Sequence, residues 1–299
     1  MEIAITGASG LIGTALTDSL RNDGHRVAAL VRRDVAAGAD EIRWDPSGRT
    51  IDSASLEGFD AVIHLAGAGI GDKRWTDERK KLILDSRVDG TSLLANALAG
   101  LDRAPSVLLS ASGTGYYGDR GDEVLDETAN KGSGFLSDVV EAWEDAAQPA
   151  AEAGIRTAYL RTSPVLTADG GVLKRQLPFF KLGLGGRIGS GRQYFPWISL
   201  RDQIGAIEFL LAGDVDGPVN LVAPEPVTNL EFTKTLGGVL RRPTLLPVPT
   251  FGPKLIFGGE LVEQLILVST RAVPGVLESA GFTFEDPALE PALRHLLDS

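Results

Sequence analysis

One short run narrows the folds open to this chain more than any other: Gly7-Ala8-Ser9-Gly10-Leu11-Ile12-Gly13, three glycines at GxxGxxG spacing. It follows a β-prone segment over 2–6 and leads into Ile12, Leu16 and Leu20, which recur at helical spacing. Each glycine answers a separate demand of a strand, turn and helix that grip a diphosphate. Gly7 permits the tight turn, Gly10 lets the ligand approach the backbone, and Gly13 lets the helix lie close on the sheet. Free N–H groups and a partial positive charge at the helix start supply the attraction. Gly7, Ser9, Gly10, Leu11, Ile12 and Gly13 are therefore candidate cofactor-binding residues.

The pattern beyond this turn alternates. Gly24 ends the first helix, and strands are predicted over 27–31, over 41–44 before the turn residues Asp45 to Gly48, and over 61–65. A long helix is predicted over 76–98, capped by Thr76, with Leu82, Val88, Leu93, Leu94 and Leu98 on its apolar side. A fifth strand over 106–110, a helix over 137–153 and a sixth strand over 155–161 follow. After Thr162 the pattern loosens through a glycine-rich stretch over 183–191, and a helix over 203–212 and a strand over 219–222 return to the sheet. Strands alternating with crossover helices run parallel, because each crossover brings the chain back in the same direction. The expected class is α/β: a Rossmann-type doubly wound parallel sheet with a smaller C-terminal α/β substrate lobe. Residues 1–163, with 199–222 returning to them, form the expected NAD(P)-binding domain, and 164–299 the substrate-binding lobe.

Composition excludes several functions. There are no cysteines and only three scattered histidines, His25, His64 and His295, so disulfides, thiolate catalysis and a metal site are not expected. A net charge of −11 repels polyphosphate, which argues against nucleic acid as a partner. No apolar run reaches the roughly 20 residues of a membrane helix, and Met1 leads straight into an apolar run over 3–5 without the basic start of a secretory signal. The expectation is a cytoplasmic chain with no membrane partner and a small-molecule substrate; a homodimer stays open.

The end of the second strand discriminates between dinucleotides, since an acid there binds a free ribose 2′-hydroxyl and an arginine accommodates a 2′-phosphate. The chain reads Arg32-Arg33, with Asp34 only afterwards. That order favours NADP, with guanidiniums pairing and stacking on the ligand, while Asp34 keeps NAD open. His64-Leu65-Ala66-Gly67 ends the fourth strand at the edge a parallel sheet turns to its cofactor; His64 itself reads as a packed, hydrogen-bonded histidine rather than a base. Ser110 to Gly118, containing Ser112, Tyr116 and Tyr117, follows the next strand at the same edge. These three are the candidate catalytic groups, a hydroxyl for the substrate and phenols able to exchange a proton, unless the loop only shapes the pocket. Arg175, Arg187, Arg192, Tyr194 and Trp197 are candidates to line a cleft between the lobes.

The segments TGASGLIG, HLAGAG, SASGTGYYG and FPWISLRDQIGAIEFLL together resemble the extended short-chain dehydrogenase/reductase superfamily. More narrowly they are similar to its atypical epimerase-like branch of NAD(P)-dependent sugar-nucleotide epimerases. LDSRVDGT, KLGLGGRIGSGRQYFPWI and the tail TRAVPGVLESAGFTF extend the resemblance over nearly the whole chain, the tail being similar to that branch's C-terminal domain of unknown function. The resemblance implies an oxidoreductase or epimerase acting on a small carbonyl or hydroxyl compound, a nucleotide sugar among them, and places Ser86, Arg87 and Arg161 near the cofactor. It also implies a tyrosine followed four residues later by lysine, and here the chain departs: the stretch from Gly134 to Glu144 has neither residue. Lys81 or Arg87 is left to supply positive charge. Relatives described as cell-division inhibitor-like leave a second expectation, a catalytically reduced dinucleotide-binding regulator.

Overall fold

A computed structural model describes residues 1–36 and 38–298. Strand β1, Glu2–Thr6, sets the layering: Ile3 and Ile5 enter one apolar layer and Ala4 the other, because successive side chains of a strand alternate. Helix α1, Leu11–Asn22, lays Leu16 and Leu20 on the first layer. Strands β2 (Arg26–Val31), β3 (Glu41–Asp45) and β4 (Thr50–Ile51) then step outward on one side of β1. On its other side lie β5 (Ala61–His64), β6 (Val107–Gly113), the strand Arg156–Thr162 and the edge strand Gly217–Leu221. Within this sheet every pairing is parallel except that of β4 with β3. The order of strands reverses at β1, which opens a crevice above the ends of β1 and β5. The expected α/β, Rossmann-type sheet is the observed one.

Helix α2, Asp77–Ala99, covers the second layer, and Thr76 caps it as expected, its hydroxyl accepting the Arg79 N–H. Its buried stripe includes Leu94 and Leu98 as expected but otherwise departs from the expectation: Ile83, Arg87, Gly90 and Thr91 also face inward, whereas Leu82 is half exposed. A stripe that contains a buried arginine cannot be found by hydropathy. The single helix expected over 137–153 is two, α3 (Phe135–Asp145) and α4 (Gln148–Glu152), because Pro149 has no N–H to continue the ladder and sits in the first turn of the second. Helix α5 (Gly171–Lys181), the helix Asn229–Val239 and the last helix, Leu289–Asp298, share a separate apolar core containing Leu173, Leu177, Trp197, Phe232 and Leu293. Helix α6, Leu200–Ala212, returns to the main sheet. Leu277, Phe282 and Phe284 also pack there, so part of the tail that the sequence reading placed in the smaller lobe closes the main core.

At the centre of the sheet His64 is fully buried between two hydroxyls, Nδ1 lying 2.7 Å from Thr6 Oγ1 and Nε2 lying 2.9 Å from Thr91 Oγ1. Thr6 Oγ1 already accepts the N–H groups of Leu65 and Ala66, so its own proton goes to Nδ1. The ring is thus neutral, with Nε2 donating to Thr91. Burial pushes its pKa down to about 4. An unfolded histidine titrates near 6.5, so above that pH the ring is neutral in both states, and stability falls as pH drops from about 6.5 to about 4, by at most ~3 kcal/mol. Urea unfolding between pH 7.5 and 4.5 is expected to show this loss and His64→Gln to flatten it; equal slopes for both proteins would contradict the assignment.

Candidate functional site

The crevice is built by close approach. Gly7 has φ +71°, and a Cβ there would stand 2.9 Å from the Leu65 carbonyl carbon. A Cβ on Gly13 would stand 2.1 Å from the Gly7 carbonyl oxygen, so the helix begins against the turn it follows. Gly10 is under less pressure: its Cβ would meet only the Gly7 oxygen, at 3.3 Å. Gly10 is also the N-cap of α1 and offers no side-chain acceptor, which leaves the N–H groups of the first turn open toward the crevice. Ser9 and Leu11 are exposed beside it and Ile12 half-buried. This is a cradle for an anion.

At the end of β2 the two arginines differ. Arg33 pairs with Glu41, and Asp34 is engaged by Arg43, while Arg32 is exposed and has no ion-pair partner among the described residues. Only Arg32 is therefore free to meet a phosphate, and the acid that kept NAD open already carries a counter-charge. At the end of β5, Leu65 and Ala66 are tied to Thr6 through their N–H groups, and Ser86 Oγ accepts the Ala68 N–H at 3.1 Å. Ser86 thereby holds the loop after β5 in place. Gly67 leaves room for Arg87, whose central guanidinium carbon would lie 3.4 Å from a Cβ at that position. The His64 side chain points into the sheet core and does not reach this edge.

A cavity of about 360 Å³ lies at the same edge of the sheet, between α2, α3, the ends of β6 and Arg156–Thr162, and residues 193–196 and 263–270. Ser112 and Arg87 both line it. Ser112 Oγ donates to Glu144 Oε1 at 2.6 Å, and Glu144 receives Arg161 through Nε and Nη2, each at 2.8 Å. The pair is buried, at 4% and 12% side-chain exposure, and burial pulls the Arg161 pKa down while the Glu144 hydrogen bonds and charge raise it more. With its proton on Glu144, Ser112 keeps its lone pairs for a ligand hydroxyl.

The other candidates are placed differently. Tyr117 is fully buried, its phenol donating to Asn220 at 2.7 Å and accepting from Arg161 at 3.1 Å, and burial pushes its pKa up to about 12. A phenol there is neither at the cavity nor ready to lose a proton. The Tyr116 ring is stacked under the Arg161 guanidinium at 3.5 Å. Arg161 thus serves Glu144 and the two tyrosines, and the residues that follow it, Thr162 to Pro164, face the cavity in its stead. Trp197 lies in the smaller core, and Arg175 reaches the loop carbonyl of Gly71 and Asp72. Lys81 pairs with Asp85 on the exposed side of α2, whereas Arg87 is buried. Tyr194 does line the cavity, with Arg271 over its ring, and its phenol makes no hydrogen bond among the described residues. Reading the sequence missed Glu144 altogether. Its signal is faint, one acid near the end of a helix whose arginine partner lies on the next strand.

Comparison with known proteins agrees with this geometry. The model of the NAD dependent epimerase/dehydratase family matches residues 3–222, and that of a domain of unknown function, DUF1731, residues 248–296. The chain is 43% identical over 292 residues to the epimerase family protein Mb2239 of Mycobacterium bovis, spanning 97% of this chain and 96% of that protein. Among solved structures, human epimerase family protein SDR39U1 with NADPH matches with a TM-score of 0.91 at 33% identity, over 100% of both chains. The nucleoside-diphosphate sugar epimerase from Corynebacterium glutamicum matches with a TM-score of 0.81 at 35% identity, over 99% of this chain and 58% of that one.

Glu144→Gln would leave the Arg161 guanidinium buried beside a neutral amide. Loss of one partner of a buried pair costs roughly 3–5 kcal/mol, and urea unfolding should register a drop of that order. A change below about 1 kcal/mol would mean that water, not Glu144, compensates Arg161.

Proposed function

The chain belongs to the NAD dependent epimerase/dehydratase family, and on that premise we propose that it binds NADP(H) along the crevice and acts on a small hydroxyl or carbonyl compound in the adjoining cavity. One observation carries the reading: the uncapped helix start at Gly10 and the cavity lined by Ser112 open on the same edge of one sheet. The NADPH of the human relative supports the choice of cofactor, as does Arg32, which has no ion-pair partner among the described residues.

In this reading Gly7, Ser9, Gly10, Leu11, Ile12 and Gly13 hold the diphosphate through backbone N–H groups. Arg32 takes the 2′-phosphate, and Arg33, tied to Glu41, adds charge at one remove. Leu65, Ala66 and Gly67 present backbone to the dinucleotide, positioned by Thr6, His64 and Ser86. The bound cofactor supplies a hydride donor or acceptor. Ser112 orients the substrate oxygen, held by Glu144 and Arg161. Tyr194 takes the proton-exchanging part first expected of Tyr116 and Tyr117, since it alone of the three lines the cavity. The helix that carries a lysine in the wider superfamily presents Val139, Val140 and Trp143 instead, so the proton route here runs without that cation. No observation favours the regulatory alternative.

Arg32→Ala is expected to weaken NADPH binding roughly 10–100-fold, the worth of a charge-assisted contact, and to leave NADH unchanged. Calorimetry with both nucleotides decides this, and equal loss for the two would sink the 2′-phosphate assignment. Ser112→Ala should lower NADPH turnover, measured with a panel of small carbonyl compounds, by roughly 10²-fold while NADPH affinity holds. Tyr117→Phe should stay within a few-fold of the parent; a collapse there with the fold intact would restore Tyr117 to the chemistry.

A further inference from the structure

The cavity has an apolar wall and one cation. Ile70, Leu136, Val139, Val140, Trp143 and Phe195 give it hydrocarbon and ring surface, and Arg87 is the one Lys or Arg among its described lining residues. Arg87 is only 6% exposed, its guanidinium lies over the Trp143 ring at 4.7 Å, and no carboxylate among the described residues is within ion-pair distance of it. Nη1 donates to the carbonyls of Ala68 and Ile83, whereas Nη2 has no acceptor among the described residues. Burial first, and then the like charge of neighbouring Arg79, bring its pKa down to about 10. A buried cation without a counter-charge is costly, and a cavity at its side is where a ligand anion removes that cost. The remaining charges argue against a large anion. Asp119 and Glu263 also line the wall, Glu263 paired with Lys254, so a diphosphate would meet one guanidinium and two acids. A volume of about 360 Å³ must in addition admit the reactive ring of the cofactor.

We infer that this cavity is a site for a small monocarboxylate with an apolar body, its carboxylate on Arg87, and that the substrate is an oxo or hydroxy acid of that kind rather than a nucleotide diphosphate sugar. The inference rests on the cofactor reading above and sharpens its substrate.

Benzoate, its uncharged isostere benzamide, and UDP-glucose are the probes, titrated by calorimetry into free and NADPH-loaded protein. Benzoate is expected to bind at least tenfold more tightly than benzamide, and UDP-glucose to give no saturable heat. Arg87→Gln should weaken benzoate roughly 10–100-fold, leaving benzamide within about twofold. Ile70→Asp, at a half-buried loop position on the wall, should repel benzoate by at least tenfold and spare benzamide, which keeps the test decisive if R87Q does not fold. Equal affinities for benzoate and benzamide, no affinity for either, or tight UDP-glucose binding would overturn the proposal. So would an R87Q protein that loses NADPH and keeps benzoate, since Arg87 would then serve the cofactor. Absence of NADPH binding sinks the cofactor reading instead, and the benzoate to benzamide ratio on free protein still decides this one.

Discussion

Everything at the functional edge depends on how closely α1 begins to the end of β1. Gly13 sits so near the Gly7 carbonyl that no side-chain carbon fits between them, and Gly7 is in turn close-packed on Leu65. Three elements therefore meet within backbone contact, and the helix start is aimed over the sheet edge with its N–H groups unspent. Thr6 completes the joint: one hydroxyl accepts two amides from the neighbouring strand end and donates to His64. The neutral, buried histidine is thus part of the scaffold that holds the crevice open.

A second polar array sits one strand further along and has another purpose. The Glu144–Arg161 pair is buried, and such pairs do little for net stability compared with well-packed apolar groups. Its value is positional. Glu144 takes the Ser112 proton, and Arg161 covers Tyr116 and binds Tyr117, so one carboxylate and one guanidinium decide which hydroxyl faces the cavity and which phenols do not. Arg87 is the contrasting case, a buried guanidinium given carbonyls and a ring face but, among the described residues, no acid. The different treatment of these two arginines separates scaffold from candidate ligand contact.

Reading along the chain recovered what local rules govern. The glycine turn, the Thr76 cap and the strand periodicity are written in adjacent residues, and the architecture follows from them because parallel strands need crossovers. Where local reading went astray, either a local signal had been passed over or a distant residue had decided the outcome. Pro149 broke a helix that hydrophobic spacing ran straight through. Arg87 entered a stripe that hydropathy would give to Leu82. Tyr117 looked catalytic from its loop, yet Asn220 and Arg161, 103 and 44 residues away, hold it in the interior.

The sequence by itself determined the sheet, its crossovers and the anion-binding turn, since each depends on spacing over a few residues and on the conformational freedom of glycine. It also carried the choice among dinucleotides as far as the order Arg32-Arg33-Asp34. Only the tertiary structure decided which of those charges is already spent, through Glu41 and Arg43, and which hydroxyl and which cation face the cavity. The physical reason is that burial and charge compensation belong to pairs of groups brought together by the fold, and neither member of such a pair reveals its partner from its own neighbours in the chain.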